Sequence, residues 1–298
     1  MGSFRLLLAI AVVLAHAGFA FPNMYQGVSA VVSFFVISGY VTTALIEKHY
    51  FALADMPKFF VDRVMRLFPQ YLFYLAVSIG LLAFGVCLER QHLTLTAGGV
   101  VANALMIPTN FYMLGDEFRA FNTPTWTLGL EFTFYALAPI LIIKRWSTAA
   151  FLVSFAVFLA AYVGVIDTNL FGYRLIPGTL FIFLCGSFMR PSATSLQRRL
   201  VVGAWLASIA MLAVIVSAGR FHEPYNVEML VGIIVGLPAV AFLTRFPYRK
   251  IDELFGNVSY GVYLNHMSLI WIFAYFGADP LSWWQATALI TVAFIWSW

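Results

Sequence analysis

The sequence predicts an all-α polytopic membrane protein, a bundle of about ten transmembrane helices with a cytoplasmic N-terminus. The 298-residue chain is 62% hydrophobic and 10% charged, with a mean hydropathy of +0.89, whereas a soluble domain carries about 25% charged residues. Its apolar runs approach the ~20 residues that cross a bilayer as a helix. Its cations gather in alternate connections between these runs. We expect one integral membrane domain over residues 1–298.

Ten apolar segments are candidate membrane spans. They are residues 4–21, 27–46, 69–87, 126–143, 149–166, 175–189, 200–218, 228–243, 254–276 and 285–298. Residues 93–107 are apolar but interrupted by threonine, glycine and asparagine, which predicts an interfacial or re-entrant segment. The final candidate has only 14 residues, so we expect either a truncated chain or a short last helix.

The loop charges predict the orientation. Twelve cations follow the second, fourth, sixth and eighth segments, and four lie in the other connections. The positive-inside rule then places the twelve-cation loops and the N-terminus in the cytoplasm. Because the basic residues act as topology signals in short loops, the net charge of +4 does not indicate nucleic acid as a partner.

The first segment carries two ionisable residues, Arg5 and His16, separated by ten uncharged residues. Eleven positions are close to three helical turns, so the two side chains share one helix face, about 16 Å apart along the axis. Ionisable groups inside a membrane are costly and usually functional. We expect this segment to be retained as a helix rather than cleaved as a signal peptide.

The second segment is interrupted by three small residues, Ser33, Ser38 and Gly39. One interpretation is that they let membrane helices pack closely. The other is that they line a path for substrate, with Ser38 as the candidate contact, and the sequence leaves both interpretations open.

The next connection contains Arg63 and Arg66, whose spacing places them on one face of a short helix. Pro69 is then expected to begin the next span, where its missing N–H costs little. The two arginines either set the topology or bind an anion, such as the phosphates of a soluble cofactor.

The fourth segment begins at Trp126 and contains Glu131 in an otherwise uncharged stretch. A carboxylate inside a membrane marks a pathway or chemistry, or else makes a structural hydrogen bond. The predicted orientation puts His16 and Glu131 at one depth, each about 7.5 Å below the outer edge. If the two helices are neighbours, Glu131 can orient His16 as a general base.

The ninth segment carries Asn265 and His266 near its middle. An interhelical hydrogen bond and a contact with substrate are both open interpretations of this histidine.

The remaining histidines and the cysteines indicate no metal site. Three histidines fall in loops and are expected to be solvated: His49, His92 and His222. Cys87 and Cys185 lie in apolar stretches and are expected to be buried free thiols. No spacing of histidine, cysteine and carboxylate matches a zinc motif.

Together the motifs resemble the membrane-bound acyltransferase-3 family, which comprises integral membrane O-acyltransferases. The resemblance rests on Arg-x10-His, FFVISGY, RVMRLFP, WTLGLEFTFY and SYGVYLNH, in the order of the family and over nearly the whole chain. Two positions depart from the usual motifs, Ser33 before the Phe-Phe pair and Asn265 in the late Tyr-Leu-x-His element, and the usual C-terminal ending is missing.

The resemblance implies that an acyl group, commonly acetyl, passes from cytoplasmic acyl-CoA to a hydroxyl of a carbohydrate or glycolipid at the outer side of the cell (inner) membrane. His16 would be the catalytic histidine and Arg5 the essential arginine of the same signature. The cytoplasmic arginines of the family match Arg63 and Arg66. Its W-x4-E element matches Trp126 and Glu131.

In the predicted mechanism the two loop arginines bind the phosphates of acyl-CoA and the pantetheine arm passes Arg5. His16 deprotonates the acceptor hydroxyl, and Glu131 orients the His16 ring. The residues expected to bind substrate are Trp126, Ser38, His266 and Asn265. An acyl-enzyme on Ser38 is disfavoured because nothing identifies a base beside it. One alternative is a transporter or flippase with His16 and Glu131 as a proton relay, and another is a non-catalytic membrane scaffold.

Overall fold

The computed structural model describes residues 1–86, 93–220, 226–247 and 249–298. The predictions for Cys87, His92 and His222 lie outside the described residues. Over the described part the chain is helical, without a β-sheet, so the predicted all-α fold class is confirmed.

Eleven α-helices occur in the described residues. They are α1 (Gly2–His16), α2 (Gln26–His49), α3 (Met56–Ala83), α4 (Ala97–Leu105), α5 (Trp126–Ile143), α6 (Ser147–Tyr162), α7 (Ile176–Phe188), α8 (Ser195–Ser217), α9 (Asn226–Leu243), α10 (Lys250–Tyr275) and α11 (Trp283–Ser297).

Six helical stretches in the described residues are long and apolar enough to cross a membrane: Gln26–His49, Leu53–Ala83, Thr123–Ile143, Leu170–Phe188, Ser195–Ser217 and Asn226–Leu243. These stretches make the chain a polytopic membrane protein. The number of crossings and the cytoplasmic N-terminus stay predictions. The nine-residue α4, within the segment predicted to be interfacial or re-entrant, rises about 13.5 Å and is too short to cross alone.

Helix α3 corrects the expectation at Pro69. The proline does not begin a span, because α3 runs without a break from Met56 to Ala83 with Pro69 in its interior. An interior proline removes one backbone hydrogen bond, but membrane helices tolerate this where neighbouring groups satisfy the released carbonyl. Arg63 and Arg66 therefore lie on a long helix rather than on a separate short one.

The chain divides into two compact units, each described by itself. The first comprises Met1–Ala20, Val64–Phe132 and Tyr248–Trp298, and the second comprises Phe21–Arg63 and Thr133–Pro247. Helices α1, α4, α10 and α11 belong wholly to the first unit, and α2 and α6 to α9 to the second. The single domain over residues 1–298 stays a prediction.

In the second unit, α2 packs against α7 and α9. A Cβ on Gly39 would lie 1.8 Å from the Phe183 carbonyl oxygen, and one on Gly186 would lie 1.9 Å from the Val36 carbonyl oxygen. The backbones of α2 and α7 thus touch where both side chains are absent. Gly39 therefore serves helix packing, which is the first of the two interpretations given for the small residues of this segment.

In the first unit, α10 packs against α1 and α11. A Cβ on Gly2 would lie 1.6 Å from the Asp252 carbonyl oxygen, so α1 begins in direct contact with the first turn of α10. A Cβ on Gly261 would lie 2.5 Å from Cβ of Ser297. The helix that carries His266 is therefore held closely on two sides.

Candidate active site

His16 is the last residue of α1. The sequence predicts a first span through residue 21, but the helix ends five residues earlier. Gly18 has a φ of +92°, in the left-handed region that commonly ends helices. The depth predicted for His16 is counted from a helix that reaches residue 21, which the structure does not show, and the depth itself stays a prediction. Instead, His16 lies at the helix C-terminus, whose partial negative charge favours a cation.

Arg5 lies on the same helix, three turns before His16, so one continuous helix carries both residues at the predicted spacing. Both side chains are partly buried.

The imidazole rings of His16 and His266 are hydrogen-bonded to each other. Nδ1 of His16 lies 3.1 Å from Nε2 of His266, and the ring centroids are 5.1 Å apart with their planes at 29°. His266 is 0% exposed. Both histidines are predicted site residues, but nothing in the sequence indicates that they meet, because they are 250 residues apart.

Each ring also bonds the backbone of its own helix. Nδ1 of His266 lies 3.2 Å from the Val262 carbonyl oxygen, and the Tyr263 backbone is a further partner of this ring. The His16 ring bonds the Val12 backbone, one turn earlier in α1.

The turn of α10 that precedes His266 is fixed by the residues leading into α5. The Tyr263 and Thr127 hydroxyls lie 2.6 Å apart, and the Tyr263 hydroxyl donates to the Pro124 carbonyl at 3.0 Å. The Asn122 amide donates to the Leu264 carbonyl. Sequence reasoning missed these positions. Their only signal is that a cluster of asparagine and threonine directly precedes an apolar segment.

Asn265 is fully buried, and its side chain points to other elements than His16. Its amide donates to the Ala293 carbonyl and the Ser297 hydroxyl, both at 3.0 Å, and lies 3.5 Å from the Tyr74 hydroxyl. Among the described residues its Oδ1 has no hydrogen-bond partner. These bonds tie α10 to α11 and α3, and a contact of Asn265 with substrate stays a prediction.

Trp126 begins α5 and Glu131 follows in its second turn, as predicted for this segment. Both are partly buried and belong to the same compact unit as His16. The group that bonds Nδ1 of His16 is the imidazole of His266. The orienting role of Glu131 stays a prediction.

Ser38 is buried in α2, with its hydroxyl 3.4 Å from the Tyr135 hydroxyl. A tyrosine hydroxyl is not a base at neutral pH, so this contact does not activate a serine nucleophile. Its predicted role in lining a substrate path remains untested.

The two arginines of α3 have different environments. Arg63 is 5% exposed, pairs with the neighbouring Asp62, and has its guanidinium carbon 5.8 Å from the Phe59 ring centroid and 6.0 Å from that of Tyr135. Within the described chain its Nε has no hydrogen-bond partner. Arg66 is exposed. Arg63 therefore combines buried charge with an unused donor, which is suited to binding an anion.

Within the described ranges, no three histidine, cysteine or carboxylate groups cluster in a way that could hold a metal ion. The arrangement that remains is a hydrogen-bonded imidazole pair, with an arginine on the same helix as one of its members. An imidazole held in this way can accept a proton from a hydroxyl and pass it on.

Comparison with known proteins gives one family over nearly the whole chain. Residues 3–298 match the acyltransferase-3 family, described as an acyltransferase domain. No solved structure matches.

Three relatives cover different shares of the chain. An uncharacterised protein of Aquifex aeolicus is 32% identical over 50% of this chain and 70% of its own length. Nodulation protein 10 of Rhizobium leguminosarum bv. viciae is 26% identical over 78% of this chain and 69% of its own length. The O-acetyltransferase OatA of Staphylococcus aureus is 29% identical over 39% of this chain, but the match spans only 20% of that protein.

Proposed function

The chain belongs to the acyltransferase-3 family, and on that premise we propose that it transfers an acyl group, commonly acetyl, from cytoplasmic acyl-CoA to a hydroxyl of a carbohydrate or glycolipid at the outer side of the cell (inner) membrane. Membership of this family and several membrane-length helices support a multi-pass membrane O-acyltransferase. The identity of the acyl donor, the identity of the general base and the membrane side of the acceptor are proposed in addition.

The observation that carries the catalytic part is the bond between Nδ1 of His16 and Nε2 of His266. We assign His16 as the general base. Its ring takes the proton of the acceptor hydroxyl as the oxygen attacks the thioester carbon. An ester bond forms, the carbon–sulfur bond breaks, and the proton passes from His16 to the leaving thiolate. The end of α1 favours the transient imidazolium, and no acyl-enzyme is required.

The donor is proposed to bind through its phosphates to Arg63 and Arg66. The buried Arg63 supports this role through its unused Nε, although the pair with Asp62 offsets part of its charge. Arg5, which shares α1 with His16, is proposed to interact with the donor closer to the thioester. Glu131 is proposed to stabilise the charge that develops on His16.

Trp126, Ser38, His266 and Asn265 were predicted to bind substrate. Trp126 at the start of α5 is suited to stack on a sugar ring, because the face of an aromatic ring packs against apolar C–H groups. We keep this contact as part of the proposal.

The test uses the purified protein in lipid nanodiscs with labelled acetyl-CoA and a set of acceptor glycans, with the ester product identified by mass spectrometry. His16→Ala is expected to lower kcat by about 10²- to 10⁴-fold, the usual contribution of a general base. His49→Ala removes an exposed histidine and serves as the matched control, with wild-type turnover.

Near-normal transfer by His16→Ala would refute the role of this residue. Movement of a lipid-linked sugar across the membrane without consumption of acetyl-CoA would favour the transporter or flippase alternative.

A further inference from the structure

We infer that His266 is a positioning residue that, together with the Val12 backbone, holds one tautomer of His16, with the proton on Nδ1 and the lone pair on Nε2. The inference rests on the proposed function of His16 as the base. It assigns to His266 a role other than contact with substrate.

The backbone of α10 determines which nitrogen of His266 carries the proton. Its Nδ1 lies 3.2 Å from the Val262 carbonyl oxygen. A carbonyl oxygen only accepts hydrogen bonds, so Nδ1 of His266 carries a hydrogen. The preceding turn of α10 thus selects one tautomer of this ring.

The buried position of His266 keeps its ring neutral. The side chain is 0% exposed, and an ionised group at such a position is strongly disfavoured. A neutral ring with its hydrogen on Nδ1 has only a lone pair on Nε2. Nε2 of His266 therefore accepts, and the partner at 3.1 Å, Nδ1 of His16, donates.

The tautomer of His16 depends on that of His266. A neutral imidazole has one N–H, so donation from Nδ1 leaves the lone pair of His16 on Nε2. The bond of the His16 ring with the Val12 backbone provides another acceptor beside the first. Nε2 is thus the nitrogen that takes the hydroxyl proton, as in hydrolases where an orienting group holds Nδ1–H of the catalytic histidine.

The pair also stabilises the charged state during turnover. Once Nε2 of His16 is protonated, the bond from Nδ1–H to His266 becomes charge-assisted and stronger. His266 itself gains no proton. Tyr263 and Leu264, in the turn of α10 that precedes His266, are anchored to Thr127 and Asn122, so the accepting nitrogen has a fixed position.

Two variants that differ by one methylene separate this role from simple packing. The carboxamide of His266→Gln reaches the position of Nε2, where its oxygen can accept from His16. The carboxamide of His266→Asn reaches only the position of Nδ1, so it keeps the bond to Val262 but cannot accept the hydrogen bond from Nδ1 of His16. We expect kcat of the Asn variant to fall about 100-fold, in the range for losing an orienting partner. The Gln variant should recover most of it, and KM for the acyl donor should be nearly constant.

Nitrogen-15 NMR of histidine-labelled protein in nanodiscs reads the tautomer directly, with the His16 signals assigned from their loss in His16→Gln. The wild type should show a protonated Nδ1 and a bare Nε2 on His16, and His266→Asn, which keeps only the Val12 partner, should show a larger share of the Nε2–H form. A wild-type spectrum with a bare Nδ1, or with both nitrogens protonated, overturns the inference. Equal kcat values for His266→Asn and His266→Gln also overturn the inference. The NMR spectrum can be recorded on protein that has no enzymatic activity. If an inactive protein shows the inferred tautomer, the proposed function is contradicted but the inference about His266 is not.

Discussion

Asp252 in α10 caps the N-terminus of α1, since its Oδ1 accepts the backbone N–H of Ser3 at 2.8 Å. The same carboxylate accepts the Gly2 N–H and the Ser3 hydroxyl. The first N–H groups of a helix have no partners within it, and α1 receives none from the side chain of its own N-cap. The helix that begins here ends at His16, so one carboxylate fixes the start of the helix that carries the proposed base.

Replacing Asp252 with alanine should lower the free energy of unfolding by about 1 kcal/mol, the usual cost of losing an N-cap. Thermal unfolding in detergent at neutral pH measures the change. Glu253→Ala, at the adjacent exposed position, is the control. Equal melting temperatures for the two variants would show that the cap contributes nothing.

The contribution of Asp252 should depend on pH in the acid range. Partial burial acts to raise the pKa of its carboxyl, but hydrogen bonds from the Met1 nitrogen, from the backbone N–H groups of Ser3 and Gly2, and from the Ser3 hydroxyl outweigh it and hold the pKa well below the ordinary 3.8. A lowered folded-state pKa means that the stabilisation is complete above the unfolded value and is lost as the pH falls below it. The stability difference between wild type and Asp252→Ala should therefore be constant from pH 7 to about 5 and shrink below about 4. A difference that grows on acidification would contradict the sign.

Replacing Gly186 with alanine should destabilise the second unit by about 1–3 kcal/mol, the range for overpacking. The new methyl would lie 1.9 Å from the Val36 carbonyl oxygen, a backbone atom that has to move. Gly203→Ala in α8 is the matched control, because nothing lies within 4 Å of its Cβ position and alanine favours a helix more than glycine does. A melting temperature that falls for Gly186→Ala and is unchanged or higher for Gly203→Ala would bear out the close packing of α2 and α7.

Replacing Arg63 with glutamine should raise KM for acetyl-CoA about tenfold or more, because a charge-assisted bond to phosphate is lost. The effect on kcat should be smaller. Arg199→Gln, which removes an exposed cation of α8, controls for general electrostatic attraction of the anionic donor. If both variants raise KM equally, Arg63 has no specific role in donor binding.

Replacing Glu131 with glutamine should lower kcat without changing KM for the donor, because the proposed carboxylate acts on the charge formed during the reaction. Glu117→Gln, at an exposed position of the same unit, is the control. Steady-state kinetics with both substrates varied make the distinction, and unchanged kcat in the Glu131 variant would remove it from the mechanism.

Most of the helices could be predicted from the sequence, because an apolar run of the right length has few alternatives in a membrane. Residues 126–143 form α5 as predicted, and 228–243 lie within α9. The failures occur where backbone chemistry competes with hydropathy. Apolar residues continue to Phe21, yet Gly18 ends α1. Proline is typical of the first turn of a helix, yet α3 continues through Pro69.

The site could be predicted only residue by residue. The spacing of Arg5 and His16 identifies one helix face, because that relation is local. The meeting of His16 with His266 depends on which helices are neighbours, and hydropathy holds no information on this. The same limitation made the predicted contact of Glu131 with His16 conditional on their two helices being neighbours.

The pairing of α1 with α10 has a consequence for biogenesis. Ribosomes deliver the N-terminal helix to the membrane long before its partner, since His16 and His266 are separated by 250 positions, and joining such distant segments carries an entropic cost. Until α10 has been synthesised, His16 lacks its partner His266 and α1 lacks the Asp252 cap. Nascent chains arrested upstream of α10 should therefore insert into the bilayer but stay inert, so that activity arises only after α10 has been synthesised.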